Sequence, residues 1–234
     1  MSRLALTLAC ASALLACGLH SAPAVAQDAP LPVVSDEAIY LSGSVGIVFP
    51  HELELGLDAD PTRRSAQDLD QGVMGTIAIG MRIRGDAENT YRAEVEFGVR
   101  YNDLGDYETT SAIFGNATID SRGQMISGTF MLNLFWDITT EKWIQPYIGA
   151  GVGVAVHTLT ITDAIPGTGD VRFEEDAAAF AFQALVGVSV PVTDHLFVTV
   201  GYRFFGSSDF DVIGETVDSF YAHTIEAGVR VELP

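Results

Sequence analysis

The chain has 234 residues, 48% of them hydrophobic, yet it carries 12 Lys+Arg against 31 Asp+Glu and a formal net charge of -19 at pH 7. A disordered acidic chain lacks this apolar content, and a nucleic-acid-binding domain has the opposite sign of charge. Apolar and charged residues must therefore be segregated within a length that suits one barrel and leaves little for a second domain.

In chain order, the first element is a leader. Arg3 supplies a positive charge, Leu4 to Leu19 is an apolar run, and Ala24-Val25-Ala26 before Gln27 forms an A-x-A cleavage site, which predicts a secretory signal peptide over 1–26. A lipoprotein signal through Leu14-Leu15-Ala16 and Cys17 fits less well, because Leu15 is a weak match in the second place of that tetrapeptide. Cys10 and Cys17 both lie in the leader, so a chain cut after Ala26 has no thiol and no disulfide. Residues 27–38 read as a periplasmic N-terminal segment and residues 39–234 as the folded domain.

Period-two alternation then marks eight strands: Ile39 to Phe49, Gly72 to Arg84, Tyr91 to Tyr101, Met125 to Asp137, Ile144 to Leu159, Ala178 to Pro191, Leu196 to Phe205 and Phe220 to Leu233. Each reaches the roughly 9 to 11 residues of a tilted membrane strand. The most apolar stretches, Trp143 to Thr158 and Ala177 to Val192, are interrupted by Gln145, Pro146, Gln183 and Pro191 and fall short of a membrane helix. Gly149, Gly151 and Gly153 share one face of a strand but would scatter around a helix. Gly85 to Thr90, Ile138 to Trp143 and Val192 to His195 read as short turns, and Pro50 to Gln71, Asn102 to Gly123, Thr160 to Ala177 and Gly206 to Ser219 as long loops. The expected fold is all-β, an eight-stranded antiparallel up-and-down transmembrane β-barrel with short turns and both chain ends in the periplasm.

The faces of these strands separate the charges. One face presents Val73, Ile77, Ile79, Met81 and Ile83, then Tyr91, Ala93, Val95, Phe97 and Val99, then Phe180, Phe182, Val186 and Val188, and is expected to face lipid. The other holds Arg82, Arg84, Arg92, Glu94, Glu96, Arg100, Arg203, Glu226, Arg230 and Glu232, expected as a charge network in the lumen because an arginine at the bilayer midplane costs about 2 to 4 kcal/mol. Arg82 and Glu94 are expected as near-opposite partners on adjacent strands. Trp136, Trp143, Tyr91 and Tyr147 are expected at the periplasmic girdle, with Tyr101, Tyr202, Phe204 and Tyr221 at the other rim. A soluble lipocalin-like barrel would invert these faces.

The pieces Tyr147-Ile148-Gly149-Ala150-Gly151-Val152-Gly153, Gly201-Tyr202-Arg203-Phe204-Phe205-Gly206 and Glu226-Ala227-Gly228-Val229-Arg230-Val231 resemble the outer-membrane β-barrel family that includes the OmpA transmembrane domain, OmpX and the opacity proteins. The resemblance runs from Ile39 to the C-terminus and matches the barrel-only members. It implies the outer membrane of a Gram-negative bacterium, contact with outer-membrane lipid, and assembly through periplasmic chaperones and the barrel-assembly machinery. Family members usually end in an aromatic residue read by that machinery, whereas this chain ends Leu233-Pro234, a departure that bears on assembly efficiency.

A barrel is a scaffold, so function is sought in the loops and lumen. The long loops carry Glu52, Glu54, Asp58, Asp60, Asp68, Asp70, Asp163, Glu174, Glu175, Asp176, Asp209 and Asp211 against Arg63, Arg64, Arg122 and Arg172, a rim that repels nucleic acid and attracts divalent cations. No loop has the spacing of a calcium-binding hand, so no metal site and no cofactor are expected. Acyl transfer on a small barrel would need an oriented histidine beside a nucleophile. Resemblance to lipid A deacylases would call for His-x-Ser, where the chain has His157-Thr158-Leu159 and His223-Thr224-Ile225; His195 falls in a turn and His51 in a loop. The expectation is a non-enzymatic, monomeric barrel with an occluded lumen and acidic surface loops, serving envelope integrity and surface interaction. A narrow porin and a loop-mediated adhesin are the alternatives, and a lipid A-modifying enzyme ranks behind both.

Overall fold

Strand alternation sends successive side chains to opposite faces, and in the computed structural model that alternation closes on itself. The structure describes residues 38–51, 53–56, 64–83, 89–111, 115–120, 123–138, 143–165, 169–212, 215–217 and 219–233, all within the unit Val33–Pro234. The predicted leader, most of the N-terminal segment and Arg84 lie outside the described residues.

The elements are β1 (Ile39–Pro50), β2 (Leu53–Gly56), β3 (Arg64–Leu69), β4 (Gly72–Ile83), β5 (Asn89–Ser111), β6 (Gly115–Asp120), β7 (Gly123–Ile138), β8 (Gln145–Ile165), β9 (Gly169–Pro191), β10 (Leu196–Ser207), β11 (Phe210–Val212), β12 (Glu215–Val217) and β13 (Phe220–Glu232). Eight of them close a ring in the order β1, β4, β5, β7, β8, β9, β10, β13 and back to β1, every pairing antiparallel. Closure leaves the ring no free edge. Among the described residues no helix is long and apolar enough to cross a membrane; the apolar belt is carried by strands.

Each ring strand contributes to that belt. Val45, Ile77, Phe97, Leu132, Val152, Phe180, Val200 and Ile225 are between 51% and 67% exposed, one per strand. A soluble domain rarely shows a contiguous apolar patch beyond a few hundred Å², so an uninterrupted band around the whole barrel identifies the lipid face. Trp136, Trp143 and Tyr91 are also exposed on the outside, whereas Tyr147 is buried within the barrel against Phe135 and Leu185. Its expected place in the girdle is thus corrected: position 147 shares the inward phase of Gly149, Gly151 and Gly153.

Those glycines have a packing role. They stand opposite Phe135, Asn133 and Met131 on β7, and a Cβ added at any of the three would collide with that partner's side chain. The small residues on β8 thus make room in the lumen for larger ones on β7.

The long loops expected from the sequence are shorter than their boundaries suggested, because strand structure runs into them. β8 and β9 continue as one hairpin to the pair Ile165 and Gly169. The far half of β5 pairs with β3 on one side and β6 on the other, while β2 joins β3 to β12, which pairs with β11. The sequence there lacks the apolar face that marks a membrane strand, yet backbone pairing requires no such face. At the opposite end, residues 192–195 form a tight turn in which Val192 N–H donates to the Leu196 carbonyl at 2.8 Å and Thr193 Oγ1 accepts from the Leu196 N–H at 3.1 Å.

Candidate functional site

Inward positions of the ring strands fill the lumen. Five arginines (82, 92, 100, 203 and 230) and five carboxylates (Glu94, Glu96, Asp137, Glu226 and Glu232) are buried there. Their formal charges cancel, so the surplus negative charge of the chain is carried outside this set. Such balance is what a low-dielectric interior demands, since an uncompensated buried ion costs several kcal/mol.

Toward the short-turn end, Arg82 pairs with Glu232. Arg92 grips Asp137 with two parallel bonds, Nε to Oδ2 at 2.6 Å and Nη2 to Oδ1 at 2.9 Å, the fork geometry that suits a carboxylate. The Arg92 guanidinium lies 4.4 Å from the Phe135 ring centroid, and Arg230 stacks likewise on Phe197 at 4.3 Å. Arg230 approaches both Asp137 and Glu232 at 3.8 Å. Arg82 stands opposite Arg92 in the β4–β5 register, and Glu94 faces Gly80. The expected Arg82–Glu94 pairing is therefore corrected: Glu94 accepts from the Tyr40 hydroxyl at 3.0 Å and Ser42 Oγ at 3.1 Å. Gly80 permits this, because a Cβ there would strike the Tyr40 ring.

Across the middle, Arg203 bridges two carboxylates. It donates to Glu96 through Nη1 at 2.6 Å and Nη2 at 3.0 Å, and to Glu226 through Nε at 3.0 Å and Nη2 at 3.3 Å. Gln183 accepts from Arg203 Nη1 at 2.8 Å and donates to Glu96 at 3.2 Å and Asn133 at 2.7 Å. A cavity of about 50 Å³ lies among Glu94, Glu96, Arg203, Glu226 and Arg230, room for only a few waters.

Beyond this layer toward the long-strand end, an apolar cluster packs among buried polar side chains. Val48, Met74, Met125, Phe205 and Phe220 are buried together, with Leu69 and Leu159 packed against them. Arg100 lies at the boundary, its guanidinium 3.9 Å from the Phe205 ring centroid; its Nε and Nη2 have no hydrogen-bond partner. His157 is buried between two serines, with Nδ1 2.8 Å from Ser127 Oγ and Nε2 3.1 Å from Ser207 Oγ.

The structure thus brings together nine of the ten residues named from sequence; Arg84 lies outside the described residues. It adds Tyr40, Asn133, Asp137 and Gln183. Asp137 was within reach of the pattern, since it shares the phase of Asn133 and Phe135. Of the loop carboxylates, Asp176 accepts from Thr158 Oγ1 at 2.6 Å and Asp209 from Ser219 Oγ at 2.7 Å. Among the described residues, no group of three or more His, Cys, Asp or Glu converges as a metal cage.

The comparisons agree with this architecture. Residues 11–232 match the family described as outer membrane protein beta-barrel domain. Outer membrane protein PagN of Salmonella typhimurium is 23% identical over 185 residues, which span 75% of this chain and 77% of PagN. Neisserial surface protein A aligns with a TM-score of 0.50 at 17% identity over 83% of this chain and 97% of its own. The Escherichia coli outer membrane protease OmpT aligns with a TM-score of 0.51 at 8% identity over 85% and 98%; at these identities the two structures speak to the fold alone. With the family match running through all eight ring strands, the chain belongs to the outer membrane protein β-barrel family and is an integral protein of the Gram-negative outer membrane.

Proposed function

We propose that this barrel is a non-conducting, non-enzymatic anchor that contributes to envelope integrity and presents its long-strand end for surface interaction. One observation carries the reading: the Arg203–Glu96–Glu226–Gln183 layer is followed by the apolar cluster of Val48, Met74, Met125, Phe205 and Phe220. An ion crossing the barrel would have to displace a multiply bonded guanidinium and then pass the packed cluster of Val48, Met74, Met125, Phe205 and Phe220, and shedding its water to do so costs several kcal/mol. The same layers shield His157 from substrate.

Single-channel recording in planar bilayers tests this. The expected result is no conductance steps from the folded protein, with steps emerging in a Phe205→Ala, Phe220→Ala, Arg203→Ala variant. Regular steps from the unaltered protein would overturn the occluded reading in favour of a narrow diffusion channel.

Surface interaction is supported by the direction of the extensions. In bacterial barrels the short turns face the periplasm, so β5, β8 and β9 carry their far halves and the acidic loops outward. Shortening residues 50–71 and 160–177 should leave heat-modifiable folding intact while changing binding of cells to surfaces. We also place the mature N-terminus at Gln27, which N-terminal sequencing of outer-membrane fractions checks.

A further inference from the structure

We propose that His51 and His223 form a two-histidine site on the outside of the barrel, at its long-strand rim, for a borderline divalent transition-metal ion, with Cu²⁺ bound most tightly. His51 directly follows β1, its backbone N–H donating to the Tyr221 carbonyl at 2.9 Å. His223 lies on β13 opposite Phe204 of β10 and Phe49 of β1. Strand pairing thus holds the two rings side by side although they are 172 positions apart in sequence.

The geometry suits chelation. The two Nε2 atoms are 3.1 Å apart; with metal–nitrogen bonds of about 2.0–2.1 Å, that separation subtends an angle of about 98°. This lies between the square-planar and tetrahedral values, the arrangements taken by Cu²⁺ and Zn²⁺ respectively. The ring centroids are 5.1 Å apart with 61° between planes, shorter than the about 5.4 Å required by a straight N–H···N line through both rings. The rings are therefore inclined, with both Nε2 atoms at the meeting point.

The surroundings fit a metal ligand too. Tyr202 Oη is 2.5 Å from Nδ1 of His223, and an oxygen partner on the second ring nitrogen fixes the tautomer and orientation of a ligating imidazole. Tyr202 stacks on the same ring at 5.9 Å and Phe204 packs beside it at 5.4 Å, restricting its rotation. His51 is exposed, so waters can complete the coordination that two nitrogens begin. The formal net charge of -19 attracts cations to the protein as a whole, and the preference among cations follows from imidazole nitrogen, which ranks Cu²⁺ above Ni²⁺ and Zn²⁺ and does not suit Ca²⁺ or Mg²⁺.

The test uses the mature chain from Gln27 without a histidine tag, folded in zwitterionic detergent and titrated with Cu²⁺, with affinity from competition against a weak chelator and ligation from electron paramagnetic resonance. One Cu²⁺ per chain is expected, with hyperfine structure from two imidazole nitrogens. His51→Ala and His223→Ala should each weaken binding at least tenfold, and Tyr202→Phe roughly 10-fold to 100-fold through loss of ring orientation. His195→Ala, in the turn at the other end, should change nothing. Heat modifiability on gels reports that each variant is folded, and His51→Ala, at an exposed strand end, removes a ligand without touching the ladder. Unchanged Cu²⁺ affinity in folded His51→Ala, or a spectrum with one nitrogen, would overturn the site and leave the pair as a histidine–histidine hydrogen bond.

Discussion

Arg203 and Glu96 meet across the full width of the barrel, the Nη1 of one 2.6 Å from the Oε1 of the other. β10 and β5, which carry them, lie four strands apart in the ring in either direction. A pair spanning the lumen ties opposite walls together, in a way that the ladder bonds between neighbours do not. Because Glu226 shares the guanidinium, the unit is a triad.

Breaking that triad from the middle should cost most. Arg203→Met leaves two buried carboxylates facing each other and is expected to destabilise by about 3–5 kcal/mol. Adding Glu226→Gln brings the buried set back to equal numbers of arginines and carboxylates and should recover part of the loss. Urea unfolding in lipid vesicles measures both, and a double variant less stable than Arg203→Met would contradict the account.

Glu94 and Glu96 should behave differently despite their two-residue spacing and shared face. Glu94 accepts from two hydroxyls, bonds that an amide oxygen can keep, so Glu94→Gln should cost no more than about 1 kcal/mol. Glu96→Gln loses charge-assisted bonds to Arg203 and should cost about 2–3 kcal/mol. The same unfolding assay ranks them.

The lipid face is checked by Ile77→Arg. Ile77 lies midway along β4 and is the most exposed of the belt residues; a charge there should destabilise the folded protein by about 2–4 kcal/mol if the position is at the bilayer midplane. A soluble barrel would tolerate it within about 0.5 kcal/mol, as surface changes generally are.

The match of β8 glycines to β7 side chains predicts a compensated pair. Gly149→Ala drives a methyl group into the Phe135 ring, and overpacking of this kind costs about 1–3 kcal/mol. With Phe135→Leu present the same change should cost clearly less. Strictly additive losses in thermal unfolding would mean that the two residues do not share space.

Period-two alternation determined most of this protein in sequence alone: the eight ring strands, their lipid faces and the phase of nine buried ionisable residues follow from side chains switching sides at every step. Strand ends were less legible, because the extensions of β5, β8 and β9 pair through backbone groups and carry no apolar face to betray them. Phase also says which side a residue faces, but not which residue it meets there. The sequence leaves Tyr147 undecided because an amphipathic ring fits both a girdle and a lumen; the room left by Gly187 and Gly201, where an added Cβ would lie 2.5 and 2.7 Å from its hydroxyl, places it in the lumen. Adjacency of strands suggests Glu94 as the partner of Arg82, yet closure of the ring brings β13 beside β1 and sets Glu232 within its reach. Pairings across the lumen, such as Arg203 with Glu96, and across the seam, such as His51 with His223, exist only once the sheet has closed, since closure alone brings strands remote in sequence to within a side chain's length.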